Sequence, residues 1–191
     1  MALIKLSCDV TDVAAHTCNP CDDVENGRVR SVVLGKASKY ANAAAFKTAI
    51  SAAQSLTNAI EQGDVVVIPR TTGTHDGGSP NTGDGYGDED DRVLSYTHNV
   101  AFSDPSYKGN SDFWEAAEQS AWYLAFRTET LLHVAPVPVR LQAIDPVEAD
   151  LTSDVTWDVT ATWKTSKKNS HIALEENTEL ASAIESCWGE E

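Results

Sequence analysis

From Val155 to Lys164 the chain alternates without a slip. Val155, Trp157, Val159, Ala161 and Trp163 share one parity, and Thr156, Asp158, Thr160, Thr162 and Lys164 share the other. Side chains of an extended strand point to opposite faces in turn, so this segment can hide its apolar set only in a sheet covered on one side. A helix would scatter the two indoles around its axis. An antiparallel sheet with one face on a core is the frame that the rest of the chain has to fit.

Other segments supply more strands than helices. Residues 3–10 alternate loosely, Arg28 to Leu34 reads as a strand stopped by Gly35, and Asp64 to Pro69 reads as a buried strand. Val93 to Phe102 alternates again, and 122–130 with 131–141 reads as a hairpin. Between these lies Asn42 to Gln62, where Ala43, Phe46, Ile50, Ala53, Leu56 and Ile60 recur at helical spacing and Gly63 closes the run. A second, short helix is expected at 113–120, opened by the cap cluster Asn110-Ser111-Asp112, with Glu115 three residues after Asp112. An acidic, peripheral helix is expected at 175–188. Together these give a mainly β, α+β chain: a β-sandwich or open barrel with one or two flanking helices and a long extended loop. One domain over 1–168 and an acidic extension over 169–191 complete the expected organisation.

The extended loop is 70–92, rich in Gly, Thr and Asp and without core-forming side chains. Segments of this length and composition inside a compact domain usually serve a function. Its acids Asp84, Asp88, Asp90 and Asp91 suggest calcium, but Tyr86 occupies the third position of the EF-hand spacing and Glu89 takes the place of its glycine. An arm ordered against a neighbouring subunit fits better. Its contact residues would be Thr72, Gly73, His75, Asp76, Asp84, Tyr86, Asp88, Asp90 and Arg92. Phe113, Trp114, Trp157, Val159 and Trp163 are assigned to the core. The shared parity of Trp157 and Trp163 would also suit a sugar-stacking platform, although half of a sandwich core is the commoner use of such a face.

Charge narrows the partners. With 191 residues and 14 Lys and Arg against 29 Asp and Glu, the formal net charge is -15. Such a surface repels phosphate backbones and anionic membranes, which argues against tight nucleic-acid binding. It does not forbid a channel through which DNA slides, because such a wall should repel phosphate. The basic group Lys164, Lys167 and Lys168 reads as a solvated strand end and turn. No window approaches the roughly 20 apolar residues of a spanning helix, and Met1 to Val10 lacks the pattern of an export signal.

Chemistry-bearing motifs are sparse. Cys18-Asn19-Pro20-Cys21 has the spacing of half a zinc ribbon or of a redox pair, and Cys8 and His16 lie near it in sequence. Cys187 stands alone at the far end, and the pair runs into a turn rather than a helix, so reduced thiols or a local staple fit better. His16, His75, His98, His133 and His171 form no ligand-spaced pair, phosphate-loop and nucleophile-elbow patterns are missing, and His75 with Asp76 has no evident third member. No catalytic residue, metal or cofactor is expected from these residues.

The order of these features resembles the structural virion proteins of tailed bacteriophages, in particular tail tube and related tail proteins. It rests on the strand–helix–strand start, the glycine-rich loop, the Asn110-Ser111-Asp112-Phe113-Trp114 helix opening and the Val155 to Lys164 strand, over roughly residues 28–165. The resemblance implies a non-enzymatic subunit in stacked hexameric rings within the virion tail, assembled in the bacterial host cytoplasm. It implies other tail proteins as partners and viral DNA passing without tight binding. The loop at 70–92 would reach the next subunit. The cysteine-bearing segment 16–27 has no counterpart, and the acidic tail after Lys168 would lie outside the tube. A head–tail connector, a capsid decoration protein, the inner tube of a contractile injection machine and an extracellular glycan-binding module are the alternatives.

Overall fold

The computed structural model describes residues 27–85, 91–146, 155–174 and 177–185. The strand expected at 3–10 and all four cysteines lie outside these residues. Among the described residues, ten strands form one antiparallel sheet that is not closed into a barrel, and four α-helices pack on it. The mainly β, α+β class follows, with more helices than the one or two expected.

β1 (Ser31–Lys36) lies between β2 (Val65–Ile68) and β6 (Ala121–Arg127). Both β1 and β6 are buried on both faces over nearly their whole length. On one face α1 (Ala43–Ala49), α2 (Ala53–Glu61) and α4 (Thr178–Glu185) cover Val33, Tyr123 and Ala125 through Phe46, Ile50, Leu56, Leu180 and Ile184. On the other, Val32, Leu34, Leu124 and Phe126 meet Val100 and Phe102 of β5 (Arg92–Asp104) and Val159, Ala161 and Trp163 of β9 (Trp157–Thr165). α3 (Ser111–Glu118) closes this second core with Trp114 and Ala117. The alternation read from Val155 to Lys164 is realised in β9: Val159, Ala161 and Trp163 are buried while Thr162 and Lys164 are exposed.

Several expectations need correction. The helix over 42–62 is two helices. Asn42 caps the first by accepting from the Ala45 amide, and the chain breaks at Ile50 to Ala52 without proline or glycine. The Ser51 hydroxyl takes the Thr48 carbonyl, and the Asn177 side chain donates to the Ser51 carbonyl, so the groups freed by the break keep partners. The hairpin over 122–141 is three strands. β7 (Leu131–Val134) and β8 (Val139–Ile144) run in succession along β6, parted by a segment with two prolines, which lack ladder donors. β8 then pairs mainly with β9. The C-terminal helix is not peripheral: Leu180 and Ile184 are fully buried, and β10 (Ser170–Ala173) pairs with β7. Asn110 does not cap α3 with its side chain but donates to Asp104.

Candidate functional site

The segment expected as a loop at 70–92 is instead largely one arm of a long hairpin. β3 (Thr72–His75) pairs with Val100 to Ser103, and β4 (Ser79–Gly83) pairs with Arg92 to Thr97, both against the same edge of β5. Composition misleads here because backbone groups make the ladder, and the thirteen-residue β5 supplies an edge long enough for both strands.

The sequence His75-Asp76-Gly77-Gly78 makes the bend between them. The Asp76 carboxylate accepts from the Gly78 amide at 2.9 Å and from the Asn99 amide at 3.0 Å. Gly77 and Gly78 have φ of +74° and +94°, open to glycine at little cost. A Cβ on Gly78 would stand 2.5 Å from the His98 ring, so glycine also admits the imidazole.

β9 pairs with β5 only from Tyr96 to Asp104. Beyond that point, among the described residues, β4 is the one strand that pairs with Arg92 to Ser95, and β5 is the one strand that pairs with β4. The result is a two-stranded ribbon that extends past the sheet, pinned by the Asn81 side chain donating to Ser95 Oγ and Thr97 Oγ1. Val93 and Leu94 point to opposite faces and are 49% and 57% exposed, and Tyr96 is 40% exposed. These are three of the five large hydrophobics exposed among the described residues.

The residues assigned to the arm therefore divide. Thr72, Gly73 and His75 belong to the sheet: Thr72 accepts from Arg28, and Gly73 is buried where a Cβ would meet the Ala101 carbonyl at 2.5 Å. Asp76 makes the bend, while Asp84 directly follows β4 and Arg92 opens β5. Tyr86, Asp88 and Asp90 lie outside the described residues. Sequence reading missed Val93, Leu94 and Tyr96 as exposed groups, because alternation alone does not say where a partner strand stops. Of the assigned core, Trp114, Val159 and Trp163 are buried, and Phe113 and Trp157 pack partly buried against them. With Trp163 covered and the Trp157 indole donating to the Tyr107 carbonyl, the two rings form no open platform.

No family model, curated protein or solved structure matches this chain.

At the base of the ribbon the fold unites residues that the sequence kept apart. His75 Nε2 lies 3.4 Å from His98 Nδ1, and the planes of both rings fall within 8° of that of Trp163. Burial holds the His75 pKa below the ordinary histidine value, and His98 and His133 add to this against the opposing pull of Asp76. An uncharged His75 imidazole fits this aromatic layer. His75, Asp76 and His98 are also the group among the described residues that could hold a cation, with ligand atoms within 4.8 Å of one another. The Asp76 oxygen that accepts two amides is already engaged in holding the bend.

Proposed function

We propose that the chain is a non-enzymatic structural subunit, the tail tube protein of a tailed bacteriophage virion, which self-assembles into stacked rings around a DNA-conducting channel. The ribbon of β4 and the start of β5 carries this reading. A two-stranded ribbon whose outer edges are paired by no other described strand, with apolar side chains on both faces, is costly to leave in water, and such edges invite further strands. A second copy of the chain is the occupant that fits, because repeated like contacts build rings and tubes. The net charge of -15 suits a wall that lets DNA pass without gripping it.

The test is negative-stain electron microscopy and light scattering across a concentration series, comparing the unaltered chain with a Val93→Asp, Leu94→Asp double variant. Rings or tubes with a central hole are expected from the former. The variant should stay monomeric with an unchanged melting temperature, since both side chains are exposed within the subunit. A monomer at every concentration of the unaltered chain overturns the proposal, as does normal assembly of the double variant for the ribbon's part in it.

A further inference from the structure

The chain has six arginines, and four of them, Arg28, Arg30, Arg70 and Arg127, line one pocket of about 510 Å3. It lies where the residues leading into β1 meet the start of β3 and the end of β6. The Val29 amide donates to the Gly73 carbonyl, the Thr71 amide to Arg30 and the Arg30 amide to Arg127, which brings the approach to β1, the 69–71 connection and β6 together. Glu185 at the end of α4 pairs with Arg127, and Glu129 pairs with Arg30 at 3.1 Å.

Three further observations converge on the same place. Ser31 Oγ, Thr71 Oγ1 and Arg127 Nε are buried without a hydrogen-bond partner, half of the six such atoms among the described residues. All three residues line the pocket, and they are only 3%, 3% and 9% exposed. Buried polar groups are rarely left unsatisfied, and such atoms gathered in one cavity call for an acceptor. Arg70 adopts φ +57°, the one positive value for a non-glycine residue among those described, and backbone held in that region often marks a functional site.

We propose that this pocket is an oxyanion site that takes a phosphate group. Hydroxyl protons and a guanidinium Nε–H are what an anion's oxygens accept, and guanidinium forks bind phosphate in two-point geometry. Donors that arrive from three separate elements suit a tetrahedral group better than a flat carboxylate, which one fork can saturate. The volume exceeds that of the bare anion and lies in the range of ligand pockets. The bound group is thus a free phosphate, or the phosphate of a larger ester or of a nucleic-acid backbone. The site stands apart from the ribbon and does not depend on assembly.

The test is calorimetric titration of the full chain, in the Val93→Asp, Leu94→Asp background so that assembly does not contribute. Inorganic phosphate, sodium chloride at matched ionic strength and a short single-stranded oligonucleotide serve as probes. Saturable binding of phosphate or oligonucleotide, with no chloride counterpart, is expected. Arg28→Gln and Thr71→Val should each weaken it by about tenfold, the factor for one hydrogen bond to a charged group. Thr71→Val keeps the side-chain shape and replaces an unpartnered hydroxyl, so it should fold. Binding of the oligonucleotide alone, lost in both variants, assigns a backbone phosphodiester, and binding of inorganic phosphate assigns a free or terminal phosphate. Binding no stronger than that of chloride, or undiminished in both variants, overturns the site.

Discussion

Asp104 sits at the end of β5, is 2% exposed, and gathers three donors. Its Oδ2 accepts from Trp114 Nε1 at 3.0 Å and from Asn110 Nδ2 at 2.8 Å, and its Oδ1 from the Ser106 amide at 2.9 Å. One carboxylate thus ties the last residue of β5 to the turn and to the first residues of α3. Replacing Asp104 with Ala strips all three donors at once. Trp114 is 1% exposed, so its indole N–H cannot turn to water and carries the whole cost of a buried unsatisfied donor, about 1–3 kcal/mol. Asn110 and Ser106 are half-buried and can rehydrate, so each forfeits only the net value of an ordinary bond, about 0.5–1.5 kcal/mol. The desolvation cost of the carboxylate disappears and offsets part of this loss. A net destabilisation of about 3 kcal/mol is expected, which lowers the melting temperature of a chain this size by roughly 6–12 °C. Urea unfolding followed by tryptophan fluorescence measures it. Trp114→Phe is the control, because it removes the donor while keeping a ring in the core. The double variant should cost at least about 1 kcal/mol less than the sum of the singles, since both remove the same bond. A change below about 0.5 kcal/mol for Asp104→Ala, or strict additivity in the double variant, refutes the reasoning.

Three further outcomes follow from local geometry. Gly35→Ala places a Cβ 2.5 Å from Phe46 Cε2, and Phe46 is fully buried beneath the helices; a loss of about 1–3 kcal/mol in chemical denaturation is expected from this overpacking. Gly78→Ala meets both a φ of +94° and the His98 ring, and should cost about 2 kcal/mol or more, read from the shift in urea midpoint. Stability should also fall as pH drops below about 6.5. The folded chain holds His75 below its ordinary pKa, so the unfolded chain binds the proton first and gains relative to the folded state as acid is added, until pH passes the lowered folded value. Above pH 6.5, roughly the unfolded value, this contribution is complete. His98, His133 and Asp76 face the same ring, and a His75→Gln variant whose midpoints at pH 8 and pH 5 differ as much as those of the unaltered chain would remove His75 as the cause.

The strand from Trp157 to Thr165 was legible because its period of two extends over many residues and both indoles sit on the buried parity. The first helical segment was legible in type but not in its break. The break has no proline or glycine to announce it and is satisfied by Asn177, a residue 126 positions away. The glycine-rich stretch was misread as coil because β4 has no buried apolar side chain, and its ladder to β5 is made by backbone groups that every residue carries. His75 and Asp76 were visible as adjacent polar residues. His98 and Trp163 were visible only as members of their own strands, and the pairing of His98 with Trp163 in the β5–β9 register brings them to His75.

The sequence by itself determined the class of fold: periodicity and turn chemistry are local, and they specify strands, helices and the parity that is buried. It also determined the acidity, and with it the kind of surface that the chain presents to phosphate. Tertiary structure decided which strand edges meet, which apolar residues among those described stay exposed, and where four arginines from three distant segments converge. Those features depend on contacts between residues far apart in the chain, and alternation along one strand carries no record of the strand beside it.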